Sequence, residues 1–509
     1  MAVLLLAATL SCARPLPAGP ADTAPCLAPI QAALTPAAAA AAARRVWSAR
    51  FQRNDHGALA ALHSTYSAVE APLWIVNGRP TRQAAALIAI LRGAAAYGLR
   101  ATDYGGEGVA AMATAISAGA APDGRPTGYR RVADSCDAAA AAQFELDLSA
   151  AALALIADLH YGRIDPAAAG FNLGAARADD LDLGAALRTL AATVDVAHSL
   201  ATFEPQFEHY RLLEGALARY RRLAAADPAD ATLAERVRKI DLTLERWRWL
   251  PAFRTPPIIV NIPQFRLFAF RQVADRAADI LQMNVIVGRA FPRSRTPVFA
   301  AEMTSVIFRP YWDVPRGILL REMLPKIRAN PGYLTAQHLQ IVGNRPGTPV
   351  LAATPSSLAD LAAGTARLRQ RPGPDNALGL IKFDLPNSHQ VYLHSTPAQE
   401  LFLRPRRAFS HGCIRVSDPV ALAAYVLRDT PGDWTPARIE AAMHGDATLR
   451  VRLARPIRVM ILYGTVLAKE DGEVLFFHDL YGQDRRLERL LGLAPVASPG
   501  GRIAMRGRP

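Results

Sequence analysis

The spacing of apolar residues divides the chain into a helical first half and a strand-rich second half. Between residues 37 and 250, apolar positions recur three or four apart, which is the period of helices with one buried face. Phe207, Tyr210 and Leu213 form one such series. The predicted helices are residues 37–50, 81–97, 137–159, 205–225 and 232–250. We therefore expect residues 37–250 to form an all-α domain.

After Pro251 the pattern changes from helical to strand-like. Short runs rich in Val, Ile, Phe and Tyr alternate with turn residues, and Asp471-Gly472 is a typical hairpin turn between two such runs. The predicted strands are residues 257–262, 266–271, 280–287, 304–309, 380–384, 390–393, 456–463, 465–469 and 473–477. We expect a mainly-β domain over residues 255–484, which makes the chain a multidomain α+β protein.

An insertion at residues 315–374 interrupts these strands. Its apolar spacing predicts helices at residues 318–329 and 356–370, and the Gly and Pro residues between them indicate turns. The second domain is therefore expected to carry a partly helical subdomain.

Composition and charge add few expectations. Hydrophobic residues make up 51% of the 509 positions, and many are alanine, which favours helix. The net charge of +14 suggests a polyanionic partner, such as an anionic membrane, an acidic cell-wall polymer or nucleic acid. No zinc finger, aromatic RNA-binding motif or basic heptad region occurs, so no nucleic-acid partner is expected. Arginine on solvated surfaces is the simpler explanation, and residues 485–509 are expected to form a basic tail.

The first residues have the pattern of an export signal. An apolar run at residues 2–10 precedes the small residues 11–13, which resembles a secretory signal peptide without its usual basic start. We therefore expect a periplasmic protein whose Pro/Ala-rich residues 14–36 form a linker. Cys12 raises the alternative of a lipid anchor, but Thr9 stands where a lipobox has leucine.

Cysteine usage draws attention to one thiol. The chain contains Cys12, Cys26, Cys136 and Cys413. Cys26 and Cys136 could pair in an oxidising compartment, although no pattern requires it. There is no Cys-x-x-Cys pair, and Cys413 has no obvious third and fourth metal ligand nearby, so neither a metal nor another cofactor is expected.

Cys413 lies among histidines, which suggests nucleophilic catalysis. A thiol becomes an effective nucleophile when an imidazole accepts its proton, and His394 and His411 are the two candidates. Gly412 would allow a tight backbone whose amides converge on an oxyanion. A buried structural cysteine with structural histidines is the alternative.

This stretch resembles the signature of the L,D-transpeptidases with a YkuD-type catalytic domain. That signature is a histidine, about fifteen residues, then Ser/Thr-His-Gly-Cys, a hydrophobic residue and Arg or Asn. Here fifteen residues separate His394 from Ser410, and the sequence continues as His411-Gly412-Cys413-Ile414-Arg415.

The resemblance implies roles for individual residues. Cys413 would be the nucleophile and His394 the base, with the imidazole oriented by the carbonyl of Ser395. The backbone amides of His411, Gly412 and Cys413 would form the oxyanion hole. The candidate substrate-binding residues are Arg415, Tyr392, Ser410 and Asn387.

Further landmarks resemble the large YcbB-like branch of this family. Residues 74–80, 160–166 and 245–251 match its helical scaffold, and residues 315–374 correspond to its cap over the active site. That branch usually carries a small peptidoglycan-binding domain after a Tyr-Arg-Arg sequence. Here residues 220–222 and 245–251 are too close for a domain of fifty or more residues, so we expect it to be absent.

The resemblance also implies an activity on peptidoglycan stem peptides. A donor tetrapeptide would acylate Cys413 and release D-alanine, and the amine of an acceptor stem would then form a 3-3 cross-link. Carbapenems are implied as inhibitors and wall-synthesis proteins as partners. L,D-carboxypeptidase activity, attachment of a lipoprotein to the wall and a non-catalytic wall-associated scaffold remain open alternatives.

Three arginines between the histidine and the cysteine could contact such a substrate. Arg404, Arg406 and Arg407 could bind stem carboxylates in the bidentate manner typical of guanidinium groups. For any one of them, a position on a solvated loop is the simpler interpretation.

Overall fold

A computed structural model describes residues 27–47, 57–68, 71–118, 137–173, 181–253, 255–271, 280–345 and 347–493. The expectations for the signal peptide and for Cys12, Cys26 and Cys136 fall outside these residues. Within them, the structure confirms a helical N-terminal part followed by a β-rich C-terminal part.

Ten α-helices precede residue 250 in the described part of the chain. They are α1 (Leu27–Ala33), α2 (Pro36–Trp47), α3 (Ala58–Ala68), α4 (Arg82–Arg92), α5 (Gly106–Ser117), α6 (Ala138–Tyr161), α7 (Leu183–Ala192), α8 (Val196–Ala201), α9 (Glu208–Ala226) and α10 (Ala231–Arg248). All five predicted helices are present, although α4 ends before Gly93 and the chain continues as a 3-10 turn. The pattern missed α1, α3, α5, α7 and α8, which are short. A small hairpin joins β1 (Ile75–Val76) to β2 (Arg79–Pro80).

Helix α6 is the centre of the helical core. By length and composition it could cross a membrane, and it is the one described helix of which this is true. Here nearly all of its residues are buried by neighbouring helices. Its buried Glu145 accepts hydrogen bonds from the Trp74 amide at 3.0 Å and the Tyr66 hydroxyl at 2.9 Å. Burial raises the pKa of Glu145 to about 7 despite these bonds.

The C-terminal part contains most of the strands. They are β3 (Phe171–Asn172), contributed from the helical half, and β4 (Ile258–Asn261), β5 (Arg266–Ala269), β6 (Leu281–Gly288), β7 (Val298–Phe308), β8 (Trp312–Asp313), β9 (Leu339–Gly343), β10 (Val350–Leu351), β11 (Ala366–Gln370), β12 (Ile381–Asp384), β13 (Leu393–His394), β14 (Ala408–Ser410), β15 (Ile414–Val416), β16 (Leu449–Leu462), β17 (Val466–Ala468) and β18 (Val474–Phe476). The predicted strands are all represented here. Strands β3, β8, β14 and β15, the starts of β7 and β16, and strands β9, β10 and β11 of the insertion were not predicted.

Eight of these strands close into a ring. The order is β12-β13-β15-β6-β5-β4-β16-β7, and β7 also pairs with β12. Two of the pairings are parallel, β13 with β15 and β4 with β16. Closure leaves the ring without free edges, and it places the strand that carries His394 beside the strand that follows Cys413.

The remaining helices lie in the insertion and on the outside of the ring. They are α11 (Arg316–Ile318), α12 (Leu324–Ala329), α13 (Gly332–Ala336), α14 (Pro355–Ala363), α15 (Pro419–Leu427), α16 (Pro436–His444) and α17 (Gln483–Leu490). A π-helical turn, Leu319–Met323, connects α11 to α12.

The insertion is a cap with its own hydrophobic core. Its sheet has the order β10-β9-β11-β8, and its core includes Trp312, Leu324 and Leu361. The predicted helix over residues 356–370 is wrong in its second half. Gly364 ends α14 in the left-handed conformation, with φ of 87°, and residues 366–370 form β11.

The division between hydrophobic cores does not fall at residue 250. One core is built from α1–α8, whereas α9 and α10 share a core with the ring. Strand β3 pairs in parallel with β7, which ties the helical half into the sheet. Helices α9 and α10 are separated by residues 227–230 alone, so no domain is inserted between them, as expected.

Two segments expected outside the fold are partly built into it. The prediction of a linker over residues 14–36 is wrong for its described part, because α1 lies there and buries Ile30 and Leu34. The basic tail also begins later than residue 485. Helix α17 packs Leu487 and Leu491 into the core, and Asp484 at its start binds Arg246 of α10 at 2.6 Å.

A buried ion cluster joins α10 to the turn after α6. Glu245 accepts bonds from the Arg163 side chain at 3.0 Å and the Ile164 amide at 3.1 Å, and Arg248 lies 3.4 Å away. Burial alone would raise the pKa of Glu245, but Arg163 and Arg248 hold it below its usual value. The carboxylate is therefore ionised, and it compensates two guanidinium groups that have little contact with water.

We expect Glu245→Ala to lower the free energy of unfolding by about 3–5 kcal/mol, because it leaves two buried cations without a counter-charge. Glu235→Ala on the same helix is the matched control. It breaks the more exposed pair with Lys239, which is worth at most about 1 kcal/mol. Urea unfolding followed by tryptophan fluorescence and circular dichroism measures both, and equal small shifts would contradict the importance of the cluster.

Candidate active site

Cys413 lies on a short loop that crosses the end of β6. Strand β14 lies on the same edge of β6 as β5, because the amides of Val287 and Arg289 donate to the carbonyls of Arg407 and Ser410 on that side. Strand β15 pairs with the opposite edge of β6. The loop His411–Cys413 therefore passes from one edge to the other, and Cys413 emerges beside β15.

Two buried hydroxyl groups hold this loop. The Ser410 Oγ accepts a hydrogen bond from the Gly412 amide at 3.0 Å and donates one to the Cys413 carbonyl at 2.5 Å. The Thr296 hydroxyl donates to the Gly412 carbonyl at 2.8 Å. Gly412 has φ of 130°, a conformation that other residues rarely adopt.

These bonds change two of the expectations. Ser410 was a candidate substrate-binding residue, but its hydroxyl is buried and engaged within the loop. The Gly412 amide was a candidate oxyanion donor, but it is occupied by Ser410. Among the described residues, the amides of His411 and Cys413 have no protein acceptor, so an oxyanion hole in this structure has two donors instead of three.

His394 is held in one tautomer. Its Nδ1 lies 2.6 Å from the Ser395 carbonyl oxygen, which can only accept, so Nδ1 carries the proton and Nε2 is the unprotonated nitrogen. The Ser395 hydroxyl accepts hydrogen bonds from the backbone amides of Leu380 at 2.9 Å and Ile381 at 3.1 Å. The contact expected between Ser395 and His394 is therefore present, and Ser395 itself is anchored to the start of β12.

Both partners of the pair are neutral at rest. Burial, reinforced by Arg415 and Lys382, lowers the pKa of His394 to about 3. Burial raises the pKa of the Cys413 thiol, although Tyr392, Lys382 and Arg415 act in the opposite direction. The arrangement suits a mechanism in which the proton leaves the thiol as it attacks, rather than a preformed thiolate–imidazolium pair.

Tyr392 lies beside both groups, as expected. Its hydroxyl lies close to the Cys413 thiol, and its ring packs against the hydrophobic core of the cap, which includes Trp312. The thiol itself donates to the Gln390 carbonyl at 3.7 Å. The Tyr392 ring meets the His394 ring edge-on at 5.8 Å, and the Lys382 ammonium lies 4.3 Å from the ring centre. Tyr392 thus connects the thiol to the cap.

Arg415 and Asn387 have different surroundings. Arg415 pairs in register with His394, forms no ion pair within the described residues, and has a buried Nε without a partner. The Asn387 side-chain oxygen accepts a hydrogen bond from the Val391 backbone amide at 3.2 Å, and its side-chain nitrogen donates one to the Val391 carbonyl at 2.7 Å. The expectation that Asn387 binds substrate is therefore not supported by its geometry, because the side chain shapes the turn before Tyr392.

Comparison with known proteins identifies the domains around this site. Residues 256–439 match the L,D-transpeptidase catalytic domain family, YkuD, and residues 60–217 match a family described as a scaffold domain. The chain contains an L,D-transpeptidase catalytic domain. A Haemophilus influenzae protein whose name provisionally assigns it L,D-transpeptidase activity is 33% identical over 252 residues. That match covers 49% of this chain and 48% of the relative, so the chain spans about half of the relative's length.

The cap of the transpeptidase domain touches the catalytic loop directly. Glu322, in the π-helical turn, lies 2.9 Å from the His411 Nε2, and the Arg289 guanidinium also contacts this imidazole. Burial and Arg289 lower the pKa of His411 although Glu322 raises it, so the ring is neutral. His411 is thus a contact between the loop and the cap.

Several site residues could not be found from the sequence. Thr296, Trp312, Lys382, Arg289 and Glu322 all reach the loop or its neighbours from distant parts of the chain. None of them belongs to a local motif. No group of three or more metal-ligating side chains was found in the part of the chain that the structure describes.

We expect the alkylation rate of Cys413 to rise continuously with pH, to beyond about pH 8.5, the ordinary thiol pKa. Burial keeps the thiol protonated at neutral pH, and His394, with a pKa of about 3, is uncharged throughout this range. The measurement is iodoacetamide labelling read out by mass spectrometry of the peptide that contains Cys413.

Tyr392→Phe tests the same electrostatics. Loss of the hydroxyl removes a hydrogen bond that favours the thiolate, so the increase in the alkylation rate of Cys413 should occur at higher pH. Cys413→Ala identifies labelling at other cysteines. A plateau between about pH 5 and 8 in the unmodified protein would indicate a preformed ion pair and contradict the neutral resting state.

Proposed function

We propose that the protein is a peptidoglycan L,D-transpeptidase that forms 3-3 cross-links through a thioester on Cys413. The observation that carries the proposal is the parallel pairing of β13 with β15, which sets His394, whose Nδ1 is fixed by the Ser395 carbonyl, on the strand beside the one that follows Cys413. The match to the transpeptidase catalytic domain supports the choice of peptidoglycan as the substrate class.

In the first half-reaction, the Cys413 sulfur attacks the carbonyl of the third stem residue while its proton passes to the His394 Nε2. The amides of His411 and Cys413 stabilise the oxyanion. When the C–N bond breaks, His394 returns the proton to the departing nitrogen, and D-alanine leaves. The acyl group remains as a thioester.

In the second half-reaction, the side-chain amine of an acceptor stem attacks the thioester. His394 takes a proton from this amine, the C–S bond breaks, and the thiol recovers its proton. Arg415 has a buried Nε without a hydrogen-bond partner and binds a substrate carboxylate in this scheme. Tyr392 orients the thiol between attacks.

The cap supports transfer to an amine in preference to water. It contacts the site at two points, Trp312 with Tyr392 and Glu322 with His411. A cover held at both points would exclude water from the thioester while a substrate is bound. Carbapenems are expected to acylate Cys413, because their strained carbonyl presents the same electrophile to the same thiol.

A periplasmic location follows from the substrate and from the export pattern of the first thirteen residues. Fractionation of cells that produce the full chain, or a chain without these residues, tests it. Recovery of both in the cytoplasm would contradict export. Labelling with a palmitate analogue would separate a lipid anchor at Cys12 from simple cleavage.

Incubation of purified tetrapeptide muropeptides with the protein should yield a cross-linked dimer that lacks one D-alanine. Cys413→Ala should abolish it, and His394→Ala should lower its rate by about 10²–10⁴-fold, the usual contribution of a general base. Mass spectrometry identifies the products.

The other products decide between the alternatives. Tripeptide monomer alone would indicate a carboxypeptidase, and transfer to a lipoprotein alone would indicate attachment to the wall. Full biological effect of the Cys413→Ala protein in cells would contradict catalysis and favour a scaffold.

Glu322→Gln should increase the ratio of tripeptide to cross-linked dimer, because a looser cap admits water to the thioester. The contact is partly exposed, so the change should be at most about fivefold, corresponding to about 1 kcal/mol. Glu302→Gln, which weakens a pair of similar exposure with Arg458 on the ring, is the control. Equal ratios for both variants would contradict a role of the cap in excluding water.

A further inference from the structure

A groove of about 800 Å³ lies next to the catalytic loop. Its walls include Phe291 and Arg289 after β6, Leu401 and Arg404 on the opposite side, and Phe409 of β14. Phe291 is 71% exposed although it is a large apolar side chain. Arg289, one of its lining residues, contacts His411, so the groove adjoins the loop that carries Cys413.

The groove is apolar along its length and cationic at its borders. Arg289, Arg404 and Arg406 line it, and none of the three forms an ion pair with a carboxylate of the described residues. Arg407, next in sequence, has a different role. It donates to the carbonyls of Val285, Phe265 and Arg404 and so fastens the strand connections.

The groove and the base lie on opposite sides of Cys413. Strand β14, which carries Phe409, lies on one edge of β6, and β15 lies on the other edge with β13 and His394 beyond it. During acylation the leaving amine must face His394, which protonates it. The acyl part of the donor therefore extends away from His394, toward the groove.

We propose that this groove binds the acyl part of the donor peptide, with Arg404 and Arg406 pairing with its carboxylates. The inference rests on the proposed function and specifies which substrate the groove holds. The retained part of a peptidoglycan stem presents free carboxylates on an otherwise apolar and amide backbone, and this chemistry matches guanidinium groups at the rim of an apolar channel. The acceptor amine then enters from the side of His394, where the D-alanine has left.

The test compares two tetrapeptide donors, one with free stem carboxylates upstream of the scissile bond and one with these groups amidated. For the free donor, the double variant Arg404→Ala/Arg406→Ala should raise the KM for D-alanine release roughly tenfold or more. For the amidated donor, the KM of the variant should match that of the unmodified protein. Arg455→Ala, an exposed arginine on β16, three strands from β6 in the ring, is the control for a change of net charge.

A second readout separates loss of binding from loss of structure. The rate of Cys413 alkylation by iodoacetamide needs no peptide, and it should be the same in the variant and the unmodified protein. Equal KM values for the free donor in both proteins, or equal losses for both donors, would overturn the groove assignment. Failure of the unmodified protein to release D-alanine from either donor would overturn the proposed function itself.

Discussion

The parallel pairing of β13 with β15 is the constraint on which the site depends. It sets His394 in register with Arg415 and brings Cys413 to the end of the neighbouring strand. Parallel neighbours cannot be joined by a tight hairpin and need a connection of a dozen or more residues. The length of this connection, with fifteen residues between His394 and Ser410, is therefore explained by the parallel pairing. This connection also supplies β14, the wall of the groove and the loop that presents the thiol.

The electrostatics of the site follow from burial. His394 and Cys413 are both placed where their charged forms lose hydration, so the pair rests uncharged. Lys382 and Arg415 lie close by, and their positive charges disfavour an imidazolium and favour a thiolate. The positive surroundings therefore favour states in which negative charge develops, on the sulfur, on the oxyanion or on a bound carboxylate.

The sequence was most informative where the chemistry is local. The motif around Cys413 correctly predicted the contact between His394 and Ser395, because those two residues are neighbours along the chain. Ser410 and Asn387 belong to the same region, yet their side chains are used for backbone turns, and residue type alone could not distinguish this from substrate binding.

Contacts across the fold were beyond prediction. Thr296 and Glu322 meet the loop only because the ring and the cap are folded around it. Amphipathic spacing likewise predicted α9 and α10, but it did not show that their apolar faces pack against the ring of strands. The predicted domain boundary at residue 250 therefore differs from the boundary between the two hydrophobic cores. In the cap, Gly364 ends helix α14 and the chain continues as strand β11. The spacing of apolar residues alone did not indicate this change.

A two-step acyl transfer needs one substrate to remain bound while the other exchanges. In the proposed mechanism, different parts of the structure carry out these two tasks. None of the described cap residues lines the groove, whose walls come from the segment after β6 and from the connection between β13 and β15. The cap instead contacts Tyr392 and His411, on either side of the thiol. Opening the cap could therefore release D-alanine and admit an acceptor amine without disturbing the donor, which the thioester and the groove both hold. Because water can enter during the same interval, the rate at which the cap recloses over the acceptor would decide between cross-linking and hydrolysis.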